Sequence, residues 1–160
     1  MTRADSRLDK IDLGILKLLE KDARLSHKEI AHRLNLSITP IHARIRKLQE
    51  EGYIKRYTAI INHKMVGRGL IAYTQVHLKE HSQESLKAFM DATIKLPEVM
   101  ECYHMTGAFD FLLRIAIRDM DEYNKVLMEK LSKLPDVSNM QSFFVMSEAK
   151  HETGYMFESK

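Results

Sequence analysis

The sequence predicts an α+β fold in two parts, a helical N-terminal third followed by a βαββαβ sandwich. Three observations predict it. From Leu8 to Leu48 the apolar residues recur at three- and four-residue steps, the period of buried helix faces. From Leu70 onward they alternate in several short runs separated by helical patterns. The charge is also divided. Residues 1–60 carry 13 Lys and Arg against 8 Asp and Glu, a net of +5, while residues 61–160 carry 12 against 14, a net of −2. A basic first third points to an anionic partner there.

The first helix has Leu8, Ile11, Ile15, Leu18 and Leu19 on one face, with Asp9 as N-cap and Asp12 in its first turn. Ser26 and Glu29 have the S-x-x-E spacing of a capping box and open a second helix, whose apolar face is Ile30 and Leu34. It stops near Asn35. Ser37 caps a third helix with Ile38, Ile41, Ile45 and Leu48 inward, and Pro40 is tolerated in its first turn. Gly52 suits the stop after Glu51. The β-rich run Ile54–Ile61 reads as a strand carrying Lys55 and Arg56. The polar run 63–69, with Gly67 and Gly69, reads as a hinge.

The second part reads strand, helix, strand, strand, helix, strand. Leu70–Leu78 is the first strand. Ser82 caps a helix with Leu86, Phe89, Met90 and Ile94 inward. Val99–His104 and Phe109–Ile117 flank a turn at Gly107. Asp119 and Glu122 form a second capping-box-like pair before a helix burying Tyr123, Val126, Leu127, Leu131 and Leu134. Val137–Met146 closes the order. This is the ferredoxin-like split βαβ. Two helices cover one face of the sheet. The other face keeps apolar groups such as Leu112 and Ala116, so a homodimer built sheet to sheet is expected. The expected domains are 1–62, a hinge at 63–69, 70–150, and a loosely held tail at 151–160.

Two helices joined by the short turn Asn35-Leu36-Ser37 form a helix-turn-helix, with Leu36 plugging the space between them. At about 100° per residue, the side of the third helix opposite its buried stripe carries Thr39, Ala43, Arg46, Lys47 and Glu50, with Pro40 and His42 beside it. Small residues at the helix start allow close approach to a major groove of double-stranded DNA. Ser37 and Thr39 are expected to bond phosphates or base edges, and Arg46 and Lys47 phosphates or guanine edges. His42 is a third polar contact, and Arg44 reaches a phosphate. Lys55 and Arg56 grip the backbone as a small wing, which makes the domain a winged helix-turn-helix. Glu50, a carboxylate, is expected to lie outside the groove.

The stretch LDKIDLGILKLLEKDARLSHKEIAHRLNLSITPIHARIRKLQEEGYIKRYTAIIN, residues 8–62, resembles the Lrp/AsnC (feast/famine) transcriptional regulators, as do TGAFDFLLRI at 106–115 and the closing VMSEAK. The resemblance implies dimers formed through the sheet domains and assembled further into octamers. It also implies an amino acid or similar effector bound near the turn between the second and third strands. On this sequence that region is Met105, Thr106, Gly107, Ala108, Phe109 and Asp110, with Met140, Gln141 and Ser142 nearby. Asp110 can offer a carboxylate to an α-amino group, and a Gly107 turn can offer N–H groups to an α-carboxylate. As local chemistry, the same residues read equally as a hairpin glycine and a turn aspartate. Met140 stands where family members commonly carry a small polar residue. Two expectations follow, a more apolar pocket or no ligand.

Other features narrow the class. No stretch approaches the ~20 apolar residues of a membrane helix, and residues 1–10 are charged, so a cytoplasmic protein without a membrane is expected. Cys102 is the single cysteine. It sits two residues from His104 on one strand, but nothing completes a metal set, so a packed Cys and no metal are expected. His63, His77, His81 and His151 are scattered and read as exposed. With no Gly-rich phosphate loop and no nucleophile–base pair, neither catalysis nor a cofactor is expected. Two alternatives share the layout: a haem-precursor decarboxylase with a tetrapyrrole in the sheet domain, and an architectural protein that compacts DNA without sensing anything.

Overall fold

The computed structural model describes residues 8–151 and 154. These form two compact units, one of residues 8–60 with His151 and Gly154, the other Ile61–Lys150.

The first unit holds α1 (Lys10–Lys21), α2 (His27–Arg33) and α3 (Ile38–Glu50). Its helix starts are built as their side chains dictate. Asp9 accepts the Asp12 N–H while the Asp12 carboxylate accepts the Asp9 N–H, and Ser26 and Glu29 repeat the exchange at α2. Between α2 and α3, Asn35 takes a positive φ of 54°, and the Leu36 N–H returns to the Ala31 carbonyl at 2.9 Å. That closes the turn and leaves Leu36 packed on the core of Ile15, Leu16, Leu19, Ile30, Ile41, Ile45 and Leu48. Gly52 ends α3 at φ 79°, a conformation an L side chain would strain.

The strand expected over 54–61 does not form. The Ile54 N–H bonds the Leu48 carbonyl at 3.0 Å, and residues 55–62 have no ladder partner. β-Propensity alone cannot make a strand, because its backbone groups need a second edge to pair with.

The second unit holds β1 (Leu70–Leu78), α4 (Gln83–Thr93), β2 (Val99–His104), β3 (Phe111–Ile117), α5 (Met120–Glu129), a 3₁₀ turn (Leu131–Lys133) and β4 (Val137–Phe144). The sheet is antiparallel in the order β2-β3-β1-β4, the split βαβ arrangement. Phe111, Leu113, Ile115 and Ile117 are fully buried beneath the helices, with Val76, Phe89, Val126 and Leu131. A buried hydroxyl group lies in this core. Thr74 Oγ1 bonds Ser142 Oγ at 3.0 Å and Tyr123 Oη at 3.3 Å, and the Tyr123 and Ser142 hydroxyls also meet.

Several details differ from the pattern reading. Thr93, not Ile94, is the inward residue at the end of α4, and Ile94 is 68% exposed. It is the C-cap residue, where the apolar stripe has already passed. Phe109 precedes β3 rather than opening it. α5 stops at Glu129, so Leu131 and Leu134 reach the core through the 3₁₀ turn. Asp119 caps α5, but the Glu122 carboxylate returns to the Arg118 N–H at 2.7 Å instead of to the cap residue. Glu122 also accepts Arg68 Nη1 at 3.2 Å, and His63 Nδ1 meets the Arg68 carbonyl at 2.7 Å. Arg68, near the end of the run expected as a hinge, is thus tied to α5. Cys102 is half-buried, with its thiol pKa pushed up by burial, and His104 stacks on Phe111 at 4.9 Å. Among the described residues no three His, Cys, Asp or Glu side chains gather to hold a metal.

Candidate nucleic-acid interface and ligand region

The face of α3 away from its core is built by exclusion. Ile41, Ile45 and Leu48 are buried, while Ile38, expected inward with them, is 49% exposed at the first position of the helix, so the helix must turn Thr39, His42, Ala43, Arg46 and Lys47 outward, and all five are exposed. Ser37 stands at the N-cap with extended backbone, but its hydroxyl makes no capping bond. That leaves the oxygen, and the first N–H groups of α3, available to a phosphate. Pro40 is half-buried beside Ala43. Lys55 and Arg56 are exposed on the unpaired segment after α3.

One cation is not placed as the sequence implies. Arg44 does not stand free for a phosphate. Its Nη1 donates to Asp9 at 2.6 Å and to Asp12 at 2.7 Å, bracing α3 against the start of α1. The Asp9 carboxyl is held below its ordinary value by the Asp12 N–H and by this guanidinium. Arg44 flanks the buried stripe, a position from which a side chain reaches either a phosphate or a neighbouring helix, and here it meets the two acidic residues that start α1. Arg46 is exposed but bonds Glu50 at 2.7 Å one turn on, and Lys47 lies 3.8 Å from Glu51. These exposed pairs are weak and screened by salt, so a phosphate can displace the carboxylate. Glu50 is thus nearer the reading face than its place at the helix end implied. His42 lies edge-on to His27, with ring centroids 5.1 Å apart.

At the other unit, the turn from β2 to β3 is closed by the Met105 N–H bonding the Asp110 carbonyl at 2.8 Å. Gly107 adopts φ 118° at its tip, and Thr106, Gly107 and Ala108 are exposed. Asp110 is no free counter-ion. It accepts the Leu78 N–H at 2.8 Å and meets His81 Nε2 at 2.8 Å, pinning the end of β1 to the turn. The Leu78 N–H is the main reason its pKa is lowered, and the His81 charge adds to that. His81, read from the sequence as an isolated exposed histidine, is its partner; the pairing of β1 with β3 brings together two loops that are distant along the chain. The three β4 residues do not converge. Met140 pairs with Val76 and packs on the core, Gln141 faces the opposite side of the sheet, and Ser142 is bound to Thr74 and Tyr123.

The helix-free face of the sheet carries the row Phe143–Tyr73–Arg114–Glu101, set side by side by the strand register. Beside it run Gln141, Gln75, Leu112 and Tyr103. Tyr73, Tyr103 and Phe143 are 36%, 50% and 46% exposed. Arg114 Nη1 reaches Glu101 at 3.5 Å within this surface.

A helix-turn-helix with an outward cationic face, joined to a separate ferredoxin-like unit, defines a two-part DNA-binding protein. Comparisons with known proteins agree on both halves. The model described as winged helix-turn-helix DNA-binding matches residues 8–55, and that of the Lrp/AsnC ligand binding domain matches residues 71–155. The chain belongs to the Lrp/AsnC family of DNA-binding transcriptional regulators.

It is 42% identical over 147 residues to the proline dehydrogenase transcriptional activator of Rhizobium radiobacter, covering 92% of this chain and 94% of that one. It is 35% identical over 158 residues to the leucine-responsive regulatory protein of Escherichia coli K12, covering 99% and 96%. A transcriptional regulator of Neisseria meningitidis, solved in complex with L-methionine, superposes with a TM-score of 0.88 at 31% identity over 94% of this chain and 97% of that one. These relatives are named as regulators, not as decarboxylases. No described helix is long and apolar enough to cross a membrane.

Proposed function

We propose that this regulator reads a near-palindromic operator as a homodimer or a higher assembly such as an octamer, and that a free amino acid sets its affinity or spacing on DNA. The observation that carries DNA reading is the uncapped, outward face of α3, where Ser37, Thr39, Arg46 and Lys47 are exposed above a fully buried stripe. Phosphate contacts from Arg46, Lys47, Lys55 and Arg56 supply affinity, and groove contacts from Ser37, Thr39 and His42 supply preference, with Pro40 and Ala43 keeping the approach close. The aromatic, helix-free sheet face supports self-association, because rings of this size left in water favour burial.

The relatives frame the effector. One is named as an activator for proline dehydrogenase, one as leucine-responsive, and one was solved with methionine. The first of these makes proline the leading candidate, and genes of amino-acid breakdown the leading targets. The turn Thr106–Ala108 has N–H groups to offer an α-carboxylate, Phe109 gives an apolar wall, and Asp110 keeps lone pairs beyond those used by Leu78 and His81 for an α-amino group.

The test is selection of bound genomic fragments with and without each of a panel of amino acids, proline included. Enrichment of a few defined fragments, changed by one amino acid, supports the reading. Broad enrichment unaffected by any of them would leave a DNA-compacting protein instead.

A further inference from the structure

The outward face of α3 has two edges, and a neighbouring helix meets each. On one edge Arg44 is held by Asp9 and Asp12 at the start of α1. On the other, the His42 ring meets the ring of His27, the first residue of α2. The rings stand edge-on, with centroids 5.1 Å apart and planes at 68°. His42 is exposed and His27 half-buried. Arg46 follows His42 by four residues and so lies beside it on the same side of α3.

Neither imidazole has a hydrogen-bond or ion-pair partner among the described residues. The carboxylates of the three packed helices are engaged elsewhere. Glu29 of α2 accepts the Ser26 N–H at 2.8 Å and the Ser26 hydroxyl at 2.6 Å. Glu50 of α3 accepts from Arg46 at 2.7 Å, and Asp9 and Asp12 accept from Arg44. The charged groups next to the pair are cations, Lys28 after His27 and Arg46 one turn from His42. Two imidazoles among cations, with no counter-ion of their own, favour an incoming anion.

The order of the motif says which anion this is. In a helix-turn-helix the second helix enters the major groove, and the first crosses the backbone beside it. Here these are α3 and α2, so their junction meets the strand that borders the groove. His27, set back on α2, reaches that backbone rather than the groove floor.

We propose that His27 and His42 together hold one backbone phosphate of bound DNA at the α2 edge of α3, and that the protein takes up a proton there as it binds. A neutral imidazole has one N–H to donate, and a charged one has two. Charged, His42 gives one N–H to the phosphate and keeps the other for a groove edge, while His27 donates to the second non-bridging oxygen. Rings in contact oppose being charged together, and the phosphate offsets that opposition. Binding and protonation are therefore linked, and affinity rises as pH falls through the range in which imidazoles titrate. Lys and Arg contacts carry no such dependence, because both stay charged throughout it.

The full chain and a labelled duplex of random sequence test this, since phosphate contacts do not depend on sequence. At fixed ionic strength the parent should bind about tenfold tighter at about pH 6 than at about pH 8. His27→Gln with His42→Gln should bind equally at both, within about twofold. His32→Gln, elsewhere on α2, should keep the parent's profile. In proton–nitrogen correlation spectra, the His27 and His42 rings should stay protonated to a pH about one unit higher with duplex than without. A double variant that keeps the parent's profile, a parent without one, a His32→Gln variant that loses it, or ring resonances that ignore the duplex would overturn the proposal. It rests on the reading that α3 meets DNA with its outward face, and the two fail differently. Were that reading wrong, Arg46→Ala with Lys47→Ala would bind the duplex as the parent does at both pH values. Were only the histidine pair wrong, that variant would bind more weakly, and the pH dependence would survive His27→Gln with His42→Gln.

Discussion

The guanidinium of Arg44 donates to the carboxylate of Asp12 at 2.7 Å, joining α3 to the first turn of α1. Asp12 is largely buried and Arg44 about one-third exposed, so the pair is sheltered more than an ordinary surface bridge. The same Asp12 also caps α1 by accepting the Asp9 N–H. One carboxylate thus fixes a helix start and the position of α3.

Arg44→Ala should therefore destabilise the helical unit by about 1–3 kcal/mol, because Asp12 keeps its burial and loses its charged donor. Urea unfolding followed by far-ultraviolet circular dichroism checks this. A loss of DNA affinity with unchanged stability would instead make Arg44 a phosphate contact.

Ser26 and Ser37 should separate cleanly. Ser26 caps α2, and Ser26→Ala should cost about 1 kcal/mol of stability. The Ser37 hydroxyl caps nothing, so Ser37→Ala should leave the melting temperature within error while weakening operator binding. Calorimetric melting and a binding titration on the same two variants give the comparison.

Arg46→Ala with Lys47→Ala should weaken DNA binding and flatten its salt dependence, by about 0.9 in the log–log slope for each phosphate the protein no longer neutralises. Glu50→Gln should act oppositely, since it releases Arg46 from the 2.7 Å pair. Affinity measured across a salt series reads both effects.

Asp110 gives a pH prediction. Its folded pKa lies below the ordinary 3.8, chiefly because it accepts the Leu78 N–H. The unfolded chain takes up the proton first, so the stabilisation is complete above the ordinary value and is lost as pH falls through the lowered one. Glu122, lowered mainly by the Arg118 N–H, contributes with the same sign. Asp110→Asn should flatten the loss of sheet-unit stability below about pH 4. Urea midpoints from pH 6 down to about pH 3 decide it.

Tyr103→Lys with Phe143→Glu should shift the protein toward monomer if the helix-free face is the seam between copies. Sedimentation velocity measures this directly. An unchanged mass would move the seam elsewhere.

Sequence alone determined the three helices of the first unit and the βαββαβ order of the second. Three- and four-residue periods, the pairs Asp9/Asp12 and Ser26/Glu29, and alternation over Leu70–Leu78 and Phe111–Ile117 are local signals, because helices and half-buried strands write their period directly into the chain. The outward position of Arg46 and Lys47 followed from the same period. Only the tertiary structure decided how those groups are spent. Arg44 became a brace, Asp110 a strap to Leu78 and His81, Ser142 part of a buried hydroxyl group, and residues 54–61 a segment without a strand partner. Each outcome depends on a partner distant along the chain, or on an edge the chain does not supply. Local period and composition carry no record of such partners, since hydrogen bonds and ion pairs of this kind form only where the fold brings the groups together.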